Sequence, residues 1–303
     1  MEHRMRYSSD SKNKLSPVLA ALGLGLVVAY APLVVGQDPQ PKPSLQPQSQ
    51  SQTAPAGQAQ QPNAGQPAAP QGPVITKQEE DAYKAFAALA PDQTAQIIAQ
   101  GEKFLDDHPT SPYRPVIFAR LVFTYSGTGQ IDRMYATGDK ALAEDPDNID
   151  VLSLLCTLLP VANYDPRSLD ADQKLLTAEK YANHVLELAP KLAKPSVMSE
   201  EQFATYLKSK TGMAHSGLGR VYYRQGKVAD YVREFDKATK TDPSPDPLDY
   251  FLLGQGEMSM KDFSDASTAF DQCAKAKWDP QWQGRCKKGE EDAKQAAAAP
   301  ARP

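Results

Sequence analysis

Histidine, cysteine and acidic side chains are the groups of this sequence that could bind a metal or catalyse a reaction. Four histidines occur, at His3, His108, His184 and His215. None of them is spaced from a cysteine, aspartate or glutamate in the way that metal ligands are. We expect His108 to end a helix, His215 to be packed and His184 to be partly exposed. A histidine-based metal site is therefore not predicted.

The acidic run DPDNID, at residues 145–150, has the spacing of the first calcium ligands of an EF-hand. Such a loop needs glycine at its sixth place and glutamate at its twelfth, where Asp150 and Cys156 stand instead. The similar stretch TDPSPDPLD indicates turns between helices. Because phosphate-binding glycine loops and nucleophile elbows are also missing from the sequence, we predict no enzyme, no cofactor and no metal.

Three cysteines allow a different chemistry. Cys273 and Cys286 are 13 residues apart across a turn that contains Pro280. In an oxidising compartment this pair can close a short loop and hold down a terminal helix, and in a reducing one it stays as two thiols. Cys156 lies in the apolar run VLSLLCTLL and is expected to be a small buried hydrophobic side chain.

The first 36 residues have the order of an export signal. Residues 1–14 are polar and net basic, and residues 15–36 carry no charge. The segment fits a cleaved signal peptide, although 22 uncharged residues also approach the length that crosses a bilayer as an anchor. Either fate sends the rest of the chain outward, so we expect a periplasmic protein or one anchored in the inner membrane that faces the periplasm.

Residues 37–76 read as a disordered linker, and residues 297–303 as a disordered tail. Proline and glutamine occupy 20 of the 38 positions from 37 to 74. Such a composition cannot bury enough apolar surface to offset its chain entropy. Residues 75–303 contain 28 Lys and Arg against 34 Asp and Glu, a balance that argues against nucleic acid as a partner.

Two stretches of the remaining chain, residues 215–243 and 250–280, are nearly the same. Aligning Gly219 with Gly254 places Phe235 on Phe270, an interval of 35 residues. The apolar positions within each stretch lie three, four and seven apart, which puts them on one face of a helix. A glycine such as Gly226 separates two helices, so each stretch predicts a helix pair.

This pattern resembles the tetratricopeptide repeat, W-x2-L-G-x2-Y followed by A-x3-F and P. His215 stands at the Trp position, Tyr231 at the first Ala, and Glu257 at the Tyr position of the second stretch. Weaker copies, one with Gly138 where Phe is usual, bring the count to five units over residues 77–280. The resemblance implies an all-α, right-handed α-solenoid without catalysis.

The ends of the repeat domain, residues 77–296, have their own signals. SEEQ at residues 199–202 predicts a capping box that starts a long first helix for the fourth unit. The sequence after Pro280 predicts a capping helix that is polar on its outer side, as the end of a solenoid must be.

The concave face of such a solenoid is the usual binding surface of the family. Helical offsets direct six side chains toward it, namely Phe123, Arg220, Tyr223, Arg224, Phe251 and Gln255. Arginine and aromatic residues are enriched at binding hot spots. Packing between units is the alternative role for Tyr223 and Phe251. The carboxylate clamp of some family members is not expected, since its lysine and asparagine positions are occupied by other residues.

The sequence as a whole resembles exported bacterial members of the family. FLDDHPTSPY is similar to first repeats of envelope-assembly and cell-division accessory proteins. The leading hypothesis is a scaffold that binds an envelope protein or an extended peptide. The alternatives are a module that binds cell-wall carbohydrate and a structural spacer without a ligand.

Overall fold

The computed structural model describes residues 75–299, which form eleven α-helices and no strand. The helices are α1 (Lys77–Ala87), α2 (Thr94–Asp107), α3 (Arg114–Gly127), α4 (Ile131–Glu144), α5 (Ile149–Leu158), α6 (Ala171–Leu188), α7 (Glu200–Arg224), α8 (Val228–Thr241), α9 (Pro247–Met260), α10 (Phe263–Lys275) and α11 (Pro280–Ala298). A 3-10 turn follows α6.

The helices pack as neighbouring antiparallel pairs. The first helices of the pairs are α1, α3, α5, α7 and α9, and each packs against the helix that follows it. The second helix of each pair also contacts the first helix of the next, and α11 packs on α10 and α9. The predicted all-α solenoid of five units with a C-terminal capping helix is confirmed.

The two helices of a pair approach each other closely, which explains why the repeat has glycine at positions 219 and 254. A Cβ atom added at Gly219 would lie 2.7 Å from the ring of Phe235. The same addition at Gly254 would lie 2.9 Å from the ring of Phe270. Both distances are too short for carbon atoms in contact, so each aromatic ring fills the space that the missing side chain leaves.

Three of the five turns inside the pairs share one backbone conformation. Gly129, after α3, and Gly226, after α7, both have φ of 71°. This left-handed region favours glycine because glycine has no Cβ atom. Lys261 occupies the equivalent place after α9 with φ of 68°, so the fifth unit keeps the turn without its glycine.

The 25-residue helix α7 is the longest element and packs against α5, α6 and α8. It begins with the predicted capping box, which is confirmed. The Ser199 hydroxyl accepts a bond of 3.1 Å from the Gln202 backbone N–H, and the Gln202 side chain accepts one of 2.9 Å from the Ser199 N–H. These two bonds satisfy groups that a helix start leaves unpaired.

The apolar core is thickest toward the N-terminal end. One cluster of buried side chains connects α1 through α6 and reaches Val221 of α7. The contact between α10 and α11 relies on a much smaller cluster of Ala266, Phe270 and Ala293. Cys156 is buried as predicted. At Gly138, which replaces the usual phenylalanine, the side chain of Leu155 fills the space.

The terminal helix α11 is also joined to α10 through sulfur. The structure places the Sγ atoms of Cys273 and Cys286 1.96 Å apart, with their Cα atoms at 5.7 Å. Helix α11 continues to Ala298, slightly beyond the predicted domain end at residue 296. The predicted export segment, most of the linker and residues 300–303 lie outside the described residues.

Candidate binding groove

A groove lies at the C-terminal end of the solenoid and has a volume of about 530 Å³. We call it the C-terminal groove. It is lined by Tyr223, Tyr231, Phe251, Gln255, Met258, Ser259, Phe270, Arg285, Lys288, Gly289 and Asp292. Most of these residues belong to α9 and α11. Three of the side chains predicted from helical offsets, Tyr223, Phe251 and Gln255, are brought together here.

Aromatic side chains form the apolar part of the C-terminal groove and hold one another in place. The ring centroids of Tyr223 and Tyr231 are 5.4 Å apart. Phe251 lies edge-on to Phe270 at 5.9 Å and to Trp282 at 5.3 Å. Burial raises the pKa of Tyr231, as expected for a phenol in apolar surroundings. The aromatic lining is therefore already ordered before any partner binds.

Charged side chains of α11 line the opposite side of the groove. The guanidinium group of Arg285 lies over the ring of Trp282, 4.6 Å from its centroid. Lys288 donates to both carboxylate oxygens of Asp292, at 2.9 and 3.1 Å. The lining thus contains two cations and one anion, which leaves it with a net positive charge.

The prediction that Arg220 faces the concave binding surface is wrong, because the structure buries its side chain. The residue is only 2% exposed. Its guanidinium group donates to Asp249 at 2.9 and 3.2 Å, to Asp246 at 2.5 Å and to the Thr157 carbonyl at 3.1 Å. Two carboxylates at the start of α9 hold the side chain in the contact between units.

The electrostatics of this buried cluster follow from its composition. Burial disfavours the charge on Arg220, but Asp249 and Asp246 outweigh burial and raise the arginine pKa. Burial also raises the pKa of Asp249, against the opposing effect of Arg220. One guanidinium group therefore compensates two carboxylates, and it cannot be removed without leaving both uncompensated.

Arg224 and Phe123 lie outside the C-terminal groove. Arg224 donates from Nε to the Pro160 carbonyl at 2.8 Å, and its guanidinium group covers the ring of Tyr164 at 4.7 Å. It thereby ties α7 to the insertion between α5 and α6. Phe123 is half-buried, with the Lys210 ammonium 5.5 Å from its ring centroid. Neither side chain lines the groove together with Tyr223 and Phe251.

Sequence reasoning missed the contribution of α11, namely Trp282, Arg285 and Lys288. A signal for it existed. Gly289 follows Gly254 by the same 35 residues that separate Gly254 from Gly219. A Cβ atom at Gly289 would lie 2.8 Å from the ring of Phe270, so α11 contacts the same ring as α9 does. The capping helix is thus a sixth first helix of the repeat, and its side chains extend the lining.

The other candidates from the sequence have structural roles. His108 follows the last residue of α2, as predicted. His215 is packed, with Nδ1 2.8 Å from Glu234, and the partly exposed His184 lies with Nε2 2.7 Å from Asp147. The two acidic stretches form turns before α5 and α9 as predicted.

Between residues 75 and 299, no group of three or more His, Cys, Asp or Glu side chains is placed to hold a metal ion. Within the same range, no helix has the length and apolarity needed to cross a bilayer.

The fold defines the class of the protein as an α-solenoid of tetratricopeptide-like helix pairs. No protein-family model matches the chain, and no curated protein matches its sequence. Among solved structures, a tetratricopeptide repeat protein from Parabacteroides merdae is similar at 15% identity and a TM-score of 0.26. The match covers 71% of this chain and all of that one. At this level the likeness carries no argument about function.

Proposed function

We propose that this chain is a non-catalytic scaffold that binds a segment of another protein in the C-terminal groove. The observation that carries the proposal is an ordered aromatic lining in a groove of about 530 Å³. Aromatic and arginine side chains are the commonest binding hot spots, and a preordered surface loses little entropy when it binds. Stacked helix pairs of this kind typically serve as interaction scaffolds.

We further propose that the scaffold works in the cell envelope. The uncharged segment at residues 15–36 after a basic start supports export. The position of Cys273 and Cys286 at bonding distance also supports it, because structural disulfides persist in oxidising compartments. Fractionation of a tagged chain, followed by protease treatment of spheroplasts, tests this proposal. We expect digestion of the helical domain, and protection of that domain would contradict export.

A blocking variant tests the groove without removing its packing. Gln255 and Ser259 line the groove on one face of α9. Replacing both by Trp should fill the groove with neutral side chains, which changes its shape but not its charge. The matched control is Leu176→Trp on α6, because Leu176 is 58% exposed and is not among the lining residues.

The readout is crosslinking of the full chain in an envelope extract, with mass spectrometry of the captured material. We expect a stoichiometric protein that the wild type and Leu176→Trp capture and that the blocked variant loses. Capture of cell-wall fragments would favour the carbohydrate-binding alternative. Equal capture by the blocked variant, or no capture at all, would contradict binding in this groove.

A further inference from the structure

Arg285 differs from Lys288, the other cation of the C-terminal groove, because it has no anionic partner. Among residues 75–299, it has no ion pair and no hydrogen bond, whereas Lys288 is paired with Asp292 on the next turn of α11. The side chain is exposed and lines the groove. Its guanidinium N–H groups are therefore free to bind a ligand.

The surroundings of Arg285 fix its position and strengthen any charge pairing. One side of the guanidinium group is covered by Trp282, whose ring stacks on Trp278 at 5.3 Å and contacts Phe251 at 5.3 Å. A guanidinium group stacked on an aromatic ring is already oriented to bind a carboxylate through two N–H groups. Nearby apolar rings reduce the local dielectric response, so such a pair is stronger here than in open water.

The charge of the groove contrasts with that of the chain. The whole sequence has a net charge of −4, whereas the groove lining has more cations than anions. An acidic segment is thus favoured at the groove lining over a surface with the average charge of the chain. Charge complementarity of this kind selects a partner and its orientation.

We propose that the C-terminal groove binds an extended acidic segment of a partner protein. An Asp or Glu side chain of that segment pairs with Arg285, and a neighbouring aromatic or aliphatic side chain packs against Tyr223 and Phe251. This inference rests on the proposed function and adds the chemistry of the partner to it.

The probe is a random peptide library displayed on phage, selected on the full oxidised chain. Selected sequences are then made as C-terminally amidated, fluorescent peptides, so that side chains supply every carboxylate. Their affinity is measured by fluorescence anisotropy. We expect selected peptides to contain Asp or Glu beside an aromatic residue, and Glu→Gln in the peptide to weaken binding about tenfold, the effect of losing one charged pair.

Two variants of α11 test the role of Arg285. The variant Arg285→Glu should weaken binding of the acidic peptides at least about tenfold, and should select basic peptides when the library is screened on it. Lys287→Glu is the matched control, since Lys287 is exposed on the same helix and does not line the groove. It introduces the same change in net charge and should leave affinity within about twofold.

Three results would overturn the inference, and they differ in what they say about the groove. Peptides that the Gln255→Trp, Ser259→Trp variant loses, but that show no acidic preference, would remove the acidic partner and leave the proposed function standing. Equal weakening by Arg285→Glu and Lys287→Glu would show attraction by net charge alone. Selected peptides that still bind the blocked variant would count against the proposed function as well.

Discussion

Arg220 joins three parts of the solenoid through one guanidinium group. It contacts the C-terminal end of α5 through Thr157 and the start of α9 through Asp246 and Asp249. A buried charge of this kind stabilises only because its partners are in place, and its removal leaves two carboxylates in apolar surroundings. The residue therefore serves the contact between units and not the binding surface.

The first prediction concerns the loss of this charge. The variant Arg220→Ala should reduce the free energy of unfolding by about 3–5 kcal/mol, the usual cost of an unpaired buried ion pair. Urea unfolding followed by circular dichroism measures the change. Arg224→Ala, only four residues away and exposed, should cost no more than about 1 kcal/mol. Similar unfolding midpoints for the two variants would show that the Arg220 cluster contributes little.

The buried carboxyl group of Glu234 makes the stability of the fold depend on pH. Burial acts to raise the pKa of Glu234, but hydrogen bonds from His215 and Lys237 outweigh burial and lower the pKa from 4.5 to about 2. The ionised carboxylate therefore stabilises the fold above pH 4.5, and this stabilisation is lost as the pH falls from 4.5 through 2.

The corresponding variant is Glu234→Gln, which keeps the shape but not the charge. At neutral pH it should be less stable than the wild type by about 1–3 kcal/mol, the usual worth of a charged hydrogen bond. The difference should shrink between pH 4.5 and 2, as thermal unfolding across this range would show. A difference that stays constant with pH would mean that the Glu234 charge does not stabilise the fold.

The helix pairs could be predicted from the sequence because the residues that define each pair lie within that pair. Gly219 and Phe235 belong to the same pair, and so do Gly254 and Phe270, which made both pairs recognisable from spacing alone. Arg220 could not be placed in the same way, because its partners lie in the next unit and at the end of α5. The partners of a side chain across a unit boundary depend on packing between helices, which periodicity within one helix does not report.

The lining of the C-terminal groove could also be predicted only in part from the sequence. Tyr223, Phe251 and Gln255 were found from offsets on α7 and α9, whereas Arg285 and the Trp282 ring that it covers were not. Those two residues come from α11, whose membership of the repeat rests on the position of Gly289 alone. A single glycine at the right interval is a weak signal until the ring of Phe270 is found beside it.

Two glycines of α11 allow a controlled prediction about how this helix docks. Alanine favours a helix over glycine by up to about 1 kcal/mol at any interior position. At Gly284 nothing lies within 4 Å of an added Cβ atom, so Gly284→Ala should raise stability. At Gly289 the added atom would lie 2.8 Å from the ring of Phe270, so Gly289→Ala should lower it and shift α11. Equal thermal stability of the two variants would contradict close packing on Phe270.

The whole molecule is unevenly stabilised along its length. Each unit of a solenoid is held mainly by its neighbours, so local core size sets local stability. The large cluster spans α1 to α6, whereas the buried apolar cluster between α10 and α11 contains only Ala266, Phe270 and Ala293. Opening should therefore begin at the C-terminal end, where the groove lies.

Hydrogen exchange measured by mass spectrometry tests this gradient. Amide groups of α3 and α5 should exchange more slowly than those of α9 and α11. Adding a reductant should speed exchange in α11 and leave α3 unchanged, because the cysteine pair closes a loop at that end alone. Uniform exchange along the solenoid would mean that it opens as one cooperative unit.

Arg285, a cation of the groove, is the residue directly before Cys286, whose bond to Cys273 joins α11 to α10. A newly made chain with both thiols reduced holds α11 on α10 through packing alone, including the contacts of Phe270 with Ala293 and Gly289. The helix that carries Arg285 then lacks its covalent link to the rest of the solenoid. Capture of a partner should therefore be weaker before oxidation than after it, so the redox state of the surroundings would decide when the chain binds.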